Sequence, residues 1–126
     1  MREIKFRGKW NGKWYYGNLV VTIGGTCFIS LVGGVIQRVD TDTVGQFTGL
    51  YDTDGREIYE GDVLGNKYPT RYKFVNAVVE WGVDGWLADC FSLREWLKLH
   101  TCIVVGNIYD NSELLPELPE VKDARD

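Results

Sequence analysis

The chain has 126 residues, 44% of them hydrophobic and 13% aromatic, with a formal net charge of −4. That is one domain's length of chain, with enough apolar side chains for a packed core. The slight acidic balance argues against non-specific coating of nucleic acid, which needs a strongly basic face, and is too small for a mimic of DNA charge.

Fifteen glycines and three prolines favour many short strands and tight turns over long helices. No apolar run reaches the roughly 18 residues of a membrane span. "MREIKFRGKW" places charges where a signal peptide needs an apolar core. Cys27, Cys90 and Cys102 are odd in number and far apart. They are expected to be reduced thiols of a cytosolic protein, with Cys27 and Cys102 buried in apolar strands.

In chain order, Ile4 and Phe6 alternate with Lys5 and Arg7, the pattern of a half-buried strand. Asn11-Gly12 between Trp10 and Trp14 is a two-residue hairpin signal. "WYYGNLVVTI" runs into Gly24-Gly25, "TCFISLV" into Gly33-Gly34, and "VIQRV" completes an antiparallel meander. Asp54-Gly55 marks a further turn, with Glu57, Ile58 and Tyr59 beyond it, and Gly61-Asp62 breaks the run before Val63-Leu64. "GNKYPTRYK" is polar, carries Pro69 and reads as a loop. "FVNAVVEW", "GWLADCF" and "TCIVVGNIY" read as strands. Ser92 and Glu95 have the spacing of a capping box ahead of a short helix, "LREWLKL". "NSELLPEL" is expected to add a helical turn, and the tail "PEVKDARD" lacks an apolar pattern.

Five carboxylates, Asp52, Asp54, Glu57, Glu60 and Asp62, crowd eleven residues. Oxygen-rich loops bind calcium, but with Gly55 as the required glycine an EF-hand register puts Leu50 at its first ligand position and Gly61 at its last. The expectation is a turn tip whose acids face water, with Asp54, Gly55, Gly61 and Asp62 as structural turn residues. His100 and Cys102, two apart in a strand, share a face, but a lone pair without a third orienting group is weak evidence for a nucleophile. No CxxC, HExxH, GxSxG or phosphate-cradling loop occurs. No catalytic residue, metal or cofactor is therefore expected.

Charge is distributed unevenly. Arg2, Lys5, Arg7, Lys9 and Lys13 against Glu3 give the N-terminal stretch a net +4, with Trp10, Trp14, Tyr15 and Tyr16 interleaved. Basic groups beside aromatics suit stacking on single-stranded nucleic acid; equally, they line solvated strands. Asp40 to Asp62 carries a net −6. Two such patches either dock in trans or pair within one fold.

Three blocks, "IKFRGKW" with "WYYGNL", "GQFTGLYDTDGREIYEGDVL" and "VVGNIYDNSELL", resemble the YopX family of phage and prophage proteins, spanning Ile4 to Leu115. The resemblance implies a phage-related origin and host cytoplasm, and it assigns no catalytic residues. "GREIYEGDVL" also resembles entry into a small SH3-like barrel, a likeness of fold alone.

The expected protein is mainly β: an N-terminal antiparallel meander over 1–46, a small SH3-like barrel-type half with one short helix over 47–118, and a tail over 119–126. Its expected role is a non-enzymatic protein–protein interaction module that self-associates, with Arg2, Lys5, Arg7, Lys9, Trp10, Lys13 and Trp14 as the candidate interaction surface. Partners would be its own copies or a host or phage protein, not a membrane. Two alternatives stand beside it: an accessory single-stranded nucleic-acid binder in phage DNA metabolism, and a small metal-dependent enzyme using the acidic hairpin.

Overall fold

The Asn-Gly pair has positive φ at both residues, 50° at Asn11 and 80° at Gly12, the geometry of a primed hairpin turn. It joins β1 (Phe6–Trp10) to β2 (Lys13–Val21) in a computed structural model that describes residues 4–68, 76–82, 85–89, 91–111 and 113. β3 (Cys27–Ser30) and β4 (Ile36–Val39) continue the antiparallel meander through the two diglycine turns. A 3-10 turn over Thr41–Thr43 returns the chain to β5 (Gly45–Tyr51), which pairs with the free side of β1 and then with β6 (Glu57–Tyr59). The six strands lie in the order β4-β3-β2-β1-β5-β6.

The second sheet has the order β10-β9-β8-β7-β11, formed by β7 (Asp62–Asn66), β8 (Ala77–Gly82), β9 (Gly85–Ala88), β10 (Phe91–Ser92) and β11 (Cys102–Asn107). All its pairings are antiparallel. The mainly-β class and the helix α1 (Leu93–Leu99) agree with the sequence patterns. The expected division between residues 46 and 47 falls inside β5, because β5 and β6 complete the first sheet. The chain passes between sheets at Gly61 instead. Pro69, Cys90, most of "NSELLPEL" and the 119–126 tail lie outside the described residues.

α1 starts after Ser92, whose side chain makes no capping bond. Its anchor is apolar: Leu93 and Trp96 are three apart on one face and buried. They join Leu64, Ala77, Val79, Ala88, Cys102 and Val104 in the larger core. Ile58 of β6 is fully buried in the same cluster, with Leu50 of β5 against it, so the first sheet inserts its last two strands into the second core. A smaller core under the meander is built from Cys27, Ile29 and Val39, with Phe6, Trp10, Tyr15 and Leu19 packed around it. Cys27 and Cys102 are free and buried. Burial pushes the Cys102 thiol up to about 11, with the Asp52 charge adding to the effect, which keeps it protonated and slow to react.

Gly61 has φ +91°, and a Cβ there would lie 3.1 Å from the Tyr109 ring. Its N–H donates to Val79 O (2.8 Å) and its carbonyl accepts from Ile108 N–H (2.9 Å), so the crossing point is bonded on both sides. Gly55 has φ +83° but open space where a Cβ would stand. Gly55→Ala is therefore expected to lose about 1 kcal/mol by backbone strain alone, and Gly61→Ala to lose about 2 kcal/mol or more. Urea unfolding of both variants, with equal m-values, checks that ranking.

Candidate functional site

Arg7 belongs to the basic N-terminal stretch, yet its side chain is only 5% exposed. Alternation along β1 turns it away from the meander core, toward the face that also carries Tyr16, its partner across the β1–β2 ladder. One of its amino nitrogens, Nη2, lies 2.8 Å from Asp62 Oδ1, and Asp62 is 2% exposed. The same nitrogen donates to Glu60 O at 3.3 Å. The guanidinium sits 4.7 Å from the Trp14 ring centre and 4.9 Å from that of Tyr59. Two aromatic faces and one carboxylate thus replace water around the charge. Asp62 Oδ2 accepts the Tyr59 N–H at 2.7 Å. Burial is the largest influence on the Asp62 carboxyl and pushes its pKa up, against the pull of Arg7 and the Tyr59 N–H.

A second carboxylate of the acidic hairpin is also buried. Asp52 Oδ1 accepts the N–H groups of Asp54 (2.9 Å) and Arg56 (2.8 Å), closing the turn. Its Oδ2 accepts the Val104 N–H at 2.9 Å. Thr53 N–H donates to Cys102 O (3.0 Å), and Thr53 Oγ1 accepts the Cys102 N–H at 3.1 Å. The hairpin tip therefore docks on β11 and ties the first sheet to the second. The expectation that these acids all face water is corrected: Asp52 and Asp62 are buried, because backbone N–H groups and Arg7 supply what water would have. Asp54 does sit outside, paired with Lys67.

The turn after β11 closes over the same region. Asn107 Oδ1 accepts the N–H groups of Tyr109 (3.0 Å) and Asp110 (2.9 Å), a side-chain-built turn. Tyr109 packs on Trp14 with ring centres 5.8 Å apart. Asp110 accepts from Lys9 Nζ, and its Oδ2 accepts from Trp14 Nε1 at 2.8 Å. Those bonds, Lys9 first, hold the Asp110 carboxyl below the usual carboxylate range.

The N-terminal cations are thus occupied by acids of the same chain: Lys5 with Glu57 at 2.5 Å, Arg7 with Asp62, and Lys9 with Asp110. Trp10 packs into the meander core and beneath Arg38. Trp14 is held by Arg7, Tyr109 and Asp110. Lys13 is exposed, and Arg2 lies outside the described residues. Most of the expected interaction surface is consequently engaged inside the protomer. The His100 ring lies 4.3 Å from that of Trp96, while Cys102 is in the core. Among the described residues, no three His, Cys, Asp or Glu side chains are placed to hold a metal ion. Sequence reasoning missed Tyr59, Asn107 and Asp110; only their presence in the family-like blocks marked them.

Those blocks, nearly a whole chain apart, converge on Arg7. A family model described as YopX protein matches residues 5–116. The chain belongs to the YopX family. Comparison with curated proteins returns no match. Among solved structures, the YopX chain is similar to the crystal structure of protein EF1440 from Enterococcus faecalis, with 22% identity and a TM-score of 0.62 over 92% of this chain and all of that one. At that identity the likeness is one of fold. No helix among the described residues is long and apolar enough to cross a membrane.

Two expected outcomes follow from the YopX junction. Asp52→Asn turns one acceptor into a donor facing backbone N–H groups and is expected to lose about 1–3 kcal/mol, while Asp54→Asn stays within about 0.5 kcal/mol. Asp62→Asn strands the Arg7 charge in a dry site and is expected to lose about 3–5 kcal/mol. Chemical denaturation against the parent protein measures both. Equal effects at 52 and 54, or a neutral Asp62→Asn, would contradict the roles derived from these bonds.

Proposed function

We propose that this YopX protein is a non-enzymatic protein–protein interaction module that self-associates, encoded by a phage or prophage and working in host cytoplasm. The observation that carries the reading is the internal pairing of its charges. Nucleic acid needs free cations, yet Lys5, Arg7 and Lys9 are bound by Glu57, Asp62 and Asp110. A metal needs free carboxylate oxygens, yet Asp52 and Asp62 spend both of theirs on the fold.

What the molecule leaves uncovered is apolar. Val20 and Val21 of β2, Ile23, Val32 and Val35 of the turns flanking β3, and Ile36 of the edge strand β4 are each exposed. A bare edge beside apolar side chains is a surface natural proteins cover. The occupant that fits is a second copy. Arg38 and Asp40 are exposed two residues apart at that edge, and a side-chain contact about a two-fold axis near Val39 sets each against the other's counterpart. The apolar side chains would supply most of the affinity and the charge pairs the register. On this reading the contact lies at β4, since Trp10 and Trp14 pack within the protomer.

Size-exclusion chromatography with light scattering tests the reading. A dimer is expected at micromolar concentration, surviving high salt and dissociating at least tenfold more readily in Ile36→Lys, with the circular dichroism spectrum unchanged. A parent protein that stays monomeric at high micromolar concentration and low salt overturns it.

A further inference from the structure

A cleft of about 210 Å³ opens on the aromatic face of the first sheet, lined by Arg7, Tyr16, Arg56, Glu57, Tyr59 and Asp62. Its acids are already served. Glu57 Oε1 accepts from the Tyr59 hydroxyl (3.0 Å) and Oε2 from Lys5 (2.5 Å). Asp62 is engaged by Arg7 and by the Tyr59 N–H.

Its donors are not. Arg7 Nε is buried and has no hydrogen-bond partner among the described residues, although the side chain is 5% exposed. Leaving such a donor dry costs stability unless something supplies an acceptor. Arg56 is exposed and makes no ion pair among the described residues. The lining carries two cations, Arg7 and Arg56, and two carboxylates, and Arg56 is the exposed one of the cations. Tyr16 and Tyr59 form the apolar wall, edge to face with centres 5.4 Å apart, and Tyr16 is 46% exposed.

We propose that this cleft is a binding site for a small aromatic oxyanion, a planar ring bearing a carboxylate or phosphate group. Arg56 meets the anion with its planar fork, as guanidinium groups do carboxylates and phosphates, beside the buried Arg7 guanidinium. The ring packs on Tyr16 in an offset or edge-to-face arrangement. The volume, below the usual range for drug-sized ligands, limits the guest to one ring and one anionic group. The site is remote in sequence from β4 and does not depend on self-association.

Isothermal titration calorimetry at low salt tests it with phenyl phosphate, benzoate, inorganic phosphate and neutral benzyl alcohol. Saturable binding of phenyl phosphate or benzoate is expected, at least about fivefold tighter than inorganic phosphate; the stronger of the two identifies the anionic group. Arg56→Gln, an exposed change that leaves the fold intact, is expected to weaken it about tenfold. Tyr16→Leu is expected to weaken the aromatic anions and leave inorganic phosphate unchanged. Absence of saturable binding up to about 10 mM overturns the proposal. So does binding indifferent to Arg56→Gln, or benzyl alcohol binding as well as the anions.

Discussion

Removing a guanidinium and a carboxylate from water is costly, and the attraction between them repays it only when geometry and further bonds are good. The Arg7–Asp62 pair meets that condition through its surroundings. Trp14 and Tyr59 cover the cation, the Tyr59 N–H binds the free carboxylate oxygen, and Glu60 O takes another guanidinium proton. Each of those groups comes from a different element: β1, β2, β6, the Gly61 turn and β7. The pair consequently specifies where the first sheet ends and the second begins. A purely apolar contact would tolerate sliding, whereas a buried ion pair penalises any register but one.

The same logic orders the rest of the junction. Asp52 fastens the hairpin tip to β11, and Asp110 fastens the closing turn to β1 and β2. Three carboxylates from separate segments hold three points of one seam, and apolar burial through Ile58 and Leu50 fills the space between. The charges set position, and the larger core supplies most of the cohesion.

Local signals were legible in the sequence. Asn11-Gly12, the two diglycines and Asp54-Gly55 announced their turns, because positive φ is a property of one or two residues. "LREWLKL" announced α1 by its own periodicity. What could not be read was pairing at long range. Asp52 and Asp54 look alike in a string of letters, yet one is buried and the other exposed. Only the arrival of Val104 from another strand distinguishes them. The basic stretch looked like a surface for the same reason: its partners lie 52 to 101 residues away. The boundary expected at residue 46 falls inside β5, which pairs backward with β1, a choice made by tertiary contact.

The separation between Lys9 and Asp110, 101 residues, also bears on how the protein is made. Contacts so distant along a chain close slowly, since the entropy of a long loop is lost before the contact returns anything. On the ribosome, the β1–β2 hairpin is made before the carboxylate for Arg7 at position 62 and well before the turn at 107–110 that covers Trp14. Until then the hairpin carries uncompensated positive charge and open indole surface. The nascent protein is therefore most exposed to wrong association at its first strands, and the last described turn is the piece that retires that hazard.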